Sequence, residues 1–396
     1  MDFSSIPYKF QYVWAEGASG SYITDPIPAT ASGGAASQTL GFPPITATAT
    51  GAGGIPPNIA DLNGFMNYAA AWLQWYQAGG AIQYDATLSS WIGGYANNAI
   101  VQSTVTPGLL WQSTADNNTT NPDSSSAANW TPFNRIRCSA NLNLYIAPTG
   151  SDTANNGLSS GSPFATLQHA INVLQKYYDG NGFSAQINCA NGSYLMTGSS
   201  AVLSVSTPLL GFNGIVIYGN PIAPSEVIFA NTGSGDCFVI INAVITFNGI
   251  TFYGANRGLA ALGGAIVNLY NFQVGNCGDY QIEAATGAQI YVNGTYTILA
   301  SSGGNGFAHA HAGGTITLNS ATCECSAGIS YNIGFVVSDE CGVIEAAYVT
   351  FGGSSSSVVG TRYQANINGV INTEGGGANY FPGSVAGESS SGGVYV

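Results

Sequence analysis

The chain has 396 residues, room for two or three domains, and only 6% of them are charged. Its formal net charge is −13, with six Lys and Arg in all. That excludes a phosphate-neutralising surface, hence a nucleic-acid partner, and argues against docking on anionic lipid. With 54 glycines and so few ions, the surface must be solvated by hydroxyls and amides, which suits many short strands joined by Gly and Asn turns.

The opening MDFSSIPYKF has no basic segment followed by an apolar run, so a signal peptide is not expected. Residues 1–57 are rich in Pro, Gly and Ala and read as an extended attachment arm ordered by partner chains. A helix follows, with Asp61 as its expected N-cap and Leu62, Phe65, Tyr68, Ala69, Trp72, Leu73 and Tyr76 at helical spacing. Gly79-Gly80 ends it. Segments YANNAIVQST, LLWQSTADNNTTNPD and NWTPF then suggest a small antiparallel module, so that 58–135 reads as a helix plus a β module. All six tryptophans fall before residue 135, and this shift in composition puts a boundary at 134–140.

Several motifs in this part occur in a fixed order: Gly41-Phe42-Pro43-Pro44, Gly54-Ile55-Pro56-Pro57, Asp61-Leu62-Asn63-Gly64, the Trp72/Trp75 helix and the Ala115-Asp116-Asn117-Asn118 turn. Together, over about a hundred residues, they resemble the N-terminal region of bacteriophage and prophage tail fibre and tail spike proteins. The resemblance implies that this region joins a fibre to other phage tail proteins. It also implies a homotrimer.

LNLYIAPTGSDTANNGLSSGSPFATLQHAINVLQ (142–175) reads as a strand, an Asn/Gly loop and a helix beginning at Ser162-Pro163, with Phe164, Leu167, Ile171 and Leu174 on one face. It resembles the entry cap of right-handed parallel β-helices of the pectate-lyase type, which covers the backbone groups of the first coil. Weak repeats follow, aligned on Ile266, Ile290, Ile316, Ile344 and Ile371, with Ile245 before them and a Gly just before each Ile. Steps of 20–30 residues fit a solenoid, whereas a sandwich would turn every 8–12 residues. The expected fold is therefore mainly β: a right-handed parallel β-helix over 140–383, preceded by a small α+β N-terminal attachment region and followed by a tail at 384–396. The longest apolar run, 238–252, is shorter than the roughly 20 residues of a membrane span and reads as strand.

A second strand precedes each of those isoleucines. Seven residues back stand Leu259, Glu283, His309, Val337 and Gln364; five back stand Ala261, Ala285, His311, Asp339 and Asn366. Side chains alternate along a strand, so both columns share one face, with Ala260, Ala284, Ala310, Ser338 and Ala365 pointing the other way. His309 and His311 then project outward, with Glu283 beside His309 on one neighbouring coil and Asp339 beside His311 on the other.

Four roles stay open for this face: a solvated polar patch, a contact between subunits, a metal site, or catalysis. His-x-His resembles a motif that holds metal on the threefold axis of some phage fibres, where six imidazoles would suit iron or nickel at His309/His311. Apart from that metal no cofactor is expected. For polysaccharide cleavage the weak candidates are Glu283, His309, His311 and Asp339. The register puts Glu283 and Asp339 about 12 Å apart at the backbone, wide for a glycosidase pair. Asp236, Asp279, Glu324, Glu340, Glu345 and Glu374 read as scattered. No glycan-binding residue is singled out; Tyr253, Tyr270, Tyr280, Tyr291, Tyr296, Tyr331 and Tyr348 are aromatic candidates for sugar stacking.

Seven irregularly spaced cysteines in a chain this long indicate no disulfide framework, and free buried thiols are expected. These readings make the chain a virion tail fibre or short spike, assembled in the host cytoplasm, that adheres to a bacterial surface glycan. The alternative is a polysaccharide hydrolase or lyase on the same scaffold. Membrane insertion is not expected.

Overall fold

The computed structural model describes residues 9, 11–30, 32–124, 127–207 and 209–396; the opening residues of the expected arm lie outside it. Two compact units form, one reaching to Gln83 and the other Tyr84–Val396. The helix and the β module expected together in 58–135 thus fall in different units.

In the first unit, α1 spans Ile59–Gln77. Its N-cap is Asn58, whose side chain accepts from the Ala60 amide, and not the expected Asp61. Asp61 lies in the first turn and is buried, where its carboxylate accepts from the Ala36 amide at 2.7 Å. A short polar side chain one turn further along has become a tether for the arm. Further tethers run from Trp14 Nε1 to Asn63 and from the Asn67 amide to the Trp14 carbonyl. Much of α1 stays uncovered: Phe65 is 61% exposed and Trp75 51%, and Tyr68, Trp72, Leu73 and Tyr76 are also exposed.

The second unit opens with α2, Ala86–Ile92, capped by Asp85, and an antiparallel sheet of strands Ile100–Gln102, Leu110–Ser113 and Trp130–Pro132. Tyr84, Tyr95, Val101, Leu109, Trp111 and Trp130 form its core. The cap helix α3, Leu167–Tyr177, starts later than the Ser162-Pro163 signal. Thr166 is its N-cap and accepts from the His169 amide, while Phe164 before it pairs with Ile146. The expected apolar face of Phe164, Leu167, Ile171 and Leu174 is buried.

Beyond the cap the chain is a parallel β-helix. Its strands stack into three sheets of ten, seven and eight, and successive coils add one strand to each in turn. The first sheet carries one inward column, Ile215–Ile245–Val267–Ile290–Ile316–Ile344–Ile371, each residue directly opposite the next. The expected stack is in place except at its first member. Ile266 pairs with Gln289, faces the other way, and is replaced in the column by Val267. Adjacent Ile and Val read alike by alternation, and a one-residue slip exchanges the faces. The same slip moves the second column: Ala260, not Leu259, stands opposite Glu283.

The core is lined by a run of rings. Phe238, Phe252, Phe272, Tyr296, Phe307 and Phe335 follow one another with centroids 5.2–5.8 Å apart. Tyr296 and Tyr331 are therefore interior and unavailable to sugar, while Tyr348 and Tyr270 remain exposed. Residues 384–396, expected as a tail, supply two more strands, Glu388–Ser389 and Val394–Tyr395, which pair with 363–365 and 370–372. Two-residue strands carry too little alternation to be read from sequence. Among the cysteines six are buried, but Cys341 is exposed because it lies in a turn.

The glycines two places before the later isoleucines have a steric cause. A Cβ at Gly314, Gly342 or Gly369 would lie 2.1, 2.0 or 2.2 Å from the carbonyl oxygen of Ala284, Ala310 or Ser338 on the preceding coil. Earlier coils carry Ala265 and Ala288 at this place. We expect Gly342→Ala to cost about 1–3 kcal/mol, as overpacking does. A thermal midpoint equal to that of the parent chain would show that the two coils separate freely here.

Candidate functional site

The eight-stranded sheet places the singled-out residues together. Glu283 on Tyr280–Ala284, His309 on Gly306–Ala310 and Val337 on Val336–Ser338 are consecutive partners in one column. Their inward neighbours Ala284, Ala310 and Ser338 are buried. Both imidazoles project outward from one face, as the alternation requires. His311 follows the strand end, and Asp339 and Glu340 occupy the corresponding turn one coil further on, with Glu340 and Cys341 both at positive φ.

The His309 ring lies between two others. Tyr280 stacks on one side at 4.2 Å and His311 on the other at 4.4 Å, with only 9° between the two imidazole planes. Its Nε2 lies 3.3 Å from Asp339 Oδ1, and its Nδ1 3.7 Å from Glu283 Oε2. The second distance is too long for a hydrogen bond, and Nδ1 is buried without a partner. His311 repeats the arrangement, with Nε2 3.7 Å from Glu283 Oε1 and Nδ1 3.7 Å from Glu340 Oε2. Glu283 therefore faces both rings, and an acidic side chain of the 339–340 turn faces the far nitrogen of each.

Arg257 closes the other side. Its guanidinium binds Asp236 through Nε and Nη2 at 3.1 and 2.9 Å and reaches Glu283 Oε1 through Nη1. The Glu283 side chain is only 6% exposed. Burial alone would raise its carboxyl, but His309 and the Arg257 charge outweigh this and hold it below the usual carboxylate range. Burial likewise works against the Arg257 charge, and its two carboxylate partners more than reverse it, raising its pKa further.

Asp236 and Glu340, which read as scattered acids, thus belong to the cluster, and Arg257 and Tyr280 are also part of it. Charge scarcity was the available signal: Arg257 is the only Lys or Arg between Lys176 and Arg362. Asp279, Glu324, Glu345 and Glu374 contribute no atom to it. Glu283 and Asp339 approach the same imidazole from opposite sides despite their separation along the sheet. The ring fills the space that a glycosidic bond and water would need between an acid and a base.

A separate cavity of ≈ 450 Å³ lies between the small antiparallel module and the cap, lined by Trp111, Asp123, Asp152, His169, Lys176 and Tyr177 among others. Its carboxylates are already occupied. Asp123 accepts from Ser103, Thr104 and Trp111 Nε1, and Asp152 from Thr166 and the Ala165 amide. Burial lowers the His169 pKa, and its ring sits edge-on to Phe164. Among the described residues no helix is long and apolar enough to cross a membrane. No protein-family model, no curated protein and no solved structure matches this chain.

Proposed function

We propose that the chain is a structural tail fibre or short tail spike of a bacteriophage virion, assembled in the host cytoplasm. In this reading its N-terminal region docks on other tail proteins, three copies associate, and the β-helix carries an adhesive surface to a bacterial glycan. The observation that carries the proposal is the uncovered face of α1, where Phe65, Tyr68, Trp72, Leu73, Trp75 and Tyr76 are all exposed in the single chain. Contiguous apolar surface of this kind marks a site covered by other chains. The stacked coils suit a rigid projecting shaft.

The hydrolase form of the alternative, a polysaccharide depolymerase, would need a carboxyl that holds a proton near neutral pH. Glu283 is held in the opposite direction by Arg257 and His309. Light scattering should give three times the 40.5 kDa chain mass. Incubation with purified bacterial capsule or lipopolysaccharide should give binding without release of fragments. A monomer that binds none of these surfaces would sink the fibre reading, and fragments on chromatography would turn it to the depolymerase.

A further inference from the structure

We infer that the uncovered face of α1 is filled by the α1 helices of two further copies of this chain, in a parallel three-helix bundle; this rests on the three-copy reading above and assigns that contact to a surface. Leu62, Phe65, Ala69, Trp72 and Tyr76 follow one another at steps of 3, 4, 3 and 4, the spacing of a heptad seam. Ala69 is half-buried and the other side chains of the seam are exposed. At 3.6 residues per turn the seam lies opposite the side that the described residues of the arm occupy. There Asn63 and Asn67 donate to the Tyr22 and Trp14 carbonyls, Gln74 donates to the Gln11 carbonyl, and the Thr24 amide donates to the Ala60 carbonyl. A Cβ at Gly64 would lie 1.9 Å from the Thr24 carbonyl oxygen, so the arm is seated directly on the helix backbone. One side of α1 is spent within the chain, and the other is left for another chain.

The flanks of the seam identify the occupant. In a two-stranded coil the seam alone is covered, and the positions beside it are mostly charged. Here both flanks are apolar and exposed, with Met66 and Leu73 on one side and Tyr68 and Trp75 on the other. A stripe this wide needs a neighbour on each side of its seam. In a closed ring of three identical helices the aromatic flank of each meets the aliphatic flank of the next, and the rotational symmetry makes the helices parallel. Ala69, small and in mid-seam, leaves room near the axis for the larger Phe65 and Trp72 one step to either side. The rings are arranged before assembly: Trp72 has Tyr68 edge-on at 6.4 Å and Tyr76 at 6.2 Å. Side chains already held in place lose little freedom on association. No charge on this face selects a different partner, because the one charged residue of α1, Asp61, is buried on the Ala36 amide.

The test uses the full chain, with hydrogen exchange read over residues 62–76 beside light scattering. Phe65→Glu puts a charge into the seam at a side chain that is exposed in the single chain, so the chain itself loses no packing. Ala71→Glu puts the same charge at an exposed position of α1 away from the seam. The α1 amides should exchange slowly in the parent and in Ala71→Glu, and lose that protection in Phe65→Glu, whose mass should fall from three chains to one. Protection lost with three chains still together supports the bundle equally, the β-helices then holding the copies. A three-chain parent whose α1 amides exchange as fast as those of Phe65→Glu would overturn the inference and leave the three-copy reading standing. Loss in Ala71→Glu as large as in Phe65→Glu would also overturn it. A parent of one chain mass would overturn both and give the face to a different protein.

Discussion

Arg257→Ala is expected to destabilise the second unit by about 3 kcal/mol, the lower end of the range for breaking a buried ion pair. The lower end applies because its side chain is 23% exposed. The loss is not the removed attraction alone. Without the guanidinium, Glu283 and Asp236 remain as enclosed carboxylates with no cation, and Asp236 also loses the donors that orient it. The Arg257→Met, Glu283→Gln double variant should recover part of the loss, because it removes both charges. The pH dependence has a definite sign. The Glu283 carboxyl is held below its ordinary value of 4.5, so its contribution is fully present above that value. It is lost as pH falls through the depressed folded-state value. Denaturant midpoints measured across pH should therefore show the largest gap between parent and Arg257→Ala near neutrality, and a closing gap in the acid range below 4.5. A gap independent of pH would mean that Arg257 acts by packing its chain and not by its charge.

Phe272→Ala is expected to have an effect at least as large, about 3–5 kcal/mol, through the cavity left by a buried aromatic ring. Phe272 is 1% exposed and sits between Phe252 at 5.8 Å and Tyr296 at 5.2 Å, the last pair only 2° from parallel. In a solenoid each coil is buried by its neighbours, so the gap weakens two interfaces at once. Collapse around it is limited because the backbone on both sides is held by the sheet ladders. Tyr348→Ala, at an exposed ring on the same β-helix, should change the thermal midpoint little. Equal effects at the two positions would contradict the ring column as a stabilising element.

The coil-like repetition was legible from spacing alone. Isoleucines 20–30 residues apart, each entered through Gly, follow from a chain that must return to one inward column after every circuit. The outward direction of His309 and His311 was legible for the same reason, because Ala308 and Ala310 alternate with them and fill the interior. Where two apolar residues adjoin, as at Ile266-Val267, alternation loses its phase and only the hydrogen-bonded ladder selects Val267. What tertiary structure alone decided is how Asp236, Arg257 and Glu340 join Glu283 and His309, which the register already placed side by side. Asp339, expected beside His311, reaches His309 instead. Long side chains lean across coil spacings that backbone counting treats as gaps. The α1 cap shows the same limit at short range: Asn58 and Asp61 are both competent N-caps by chemistry. The choice fell to Asn58 because the Ala36 amide, 25 residues away, needs the Asp61 carboxylate.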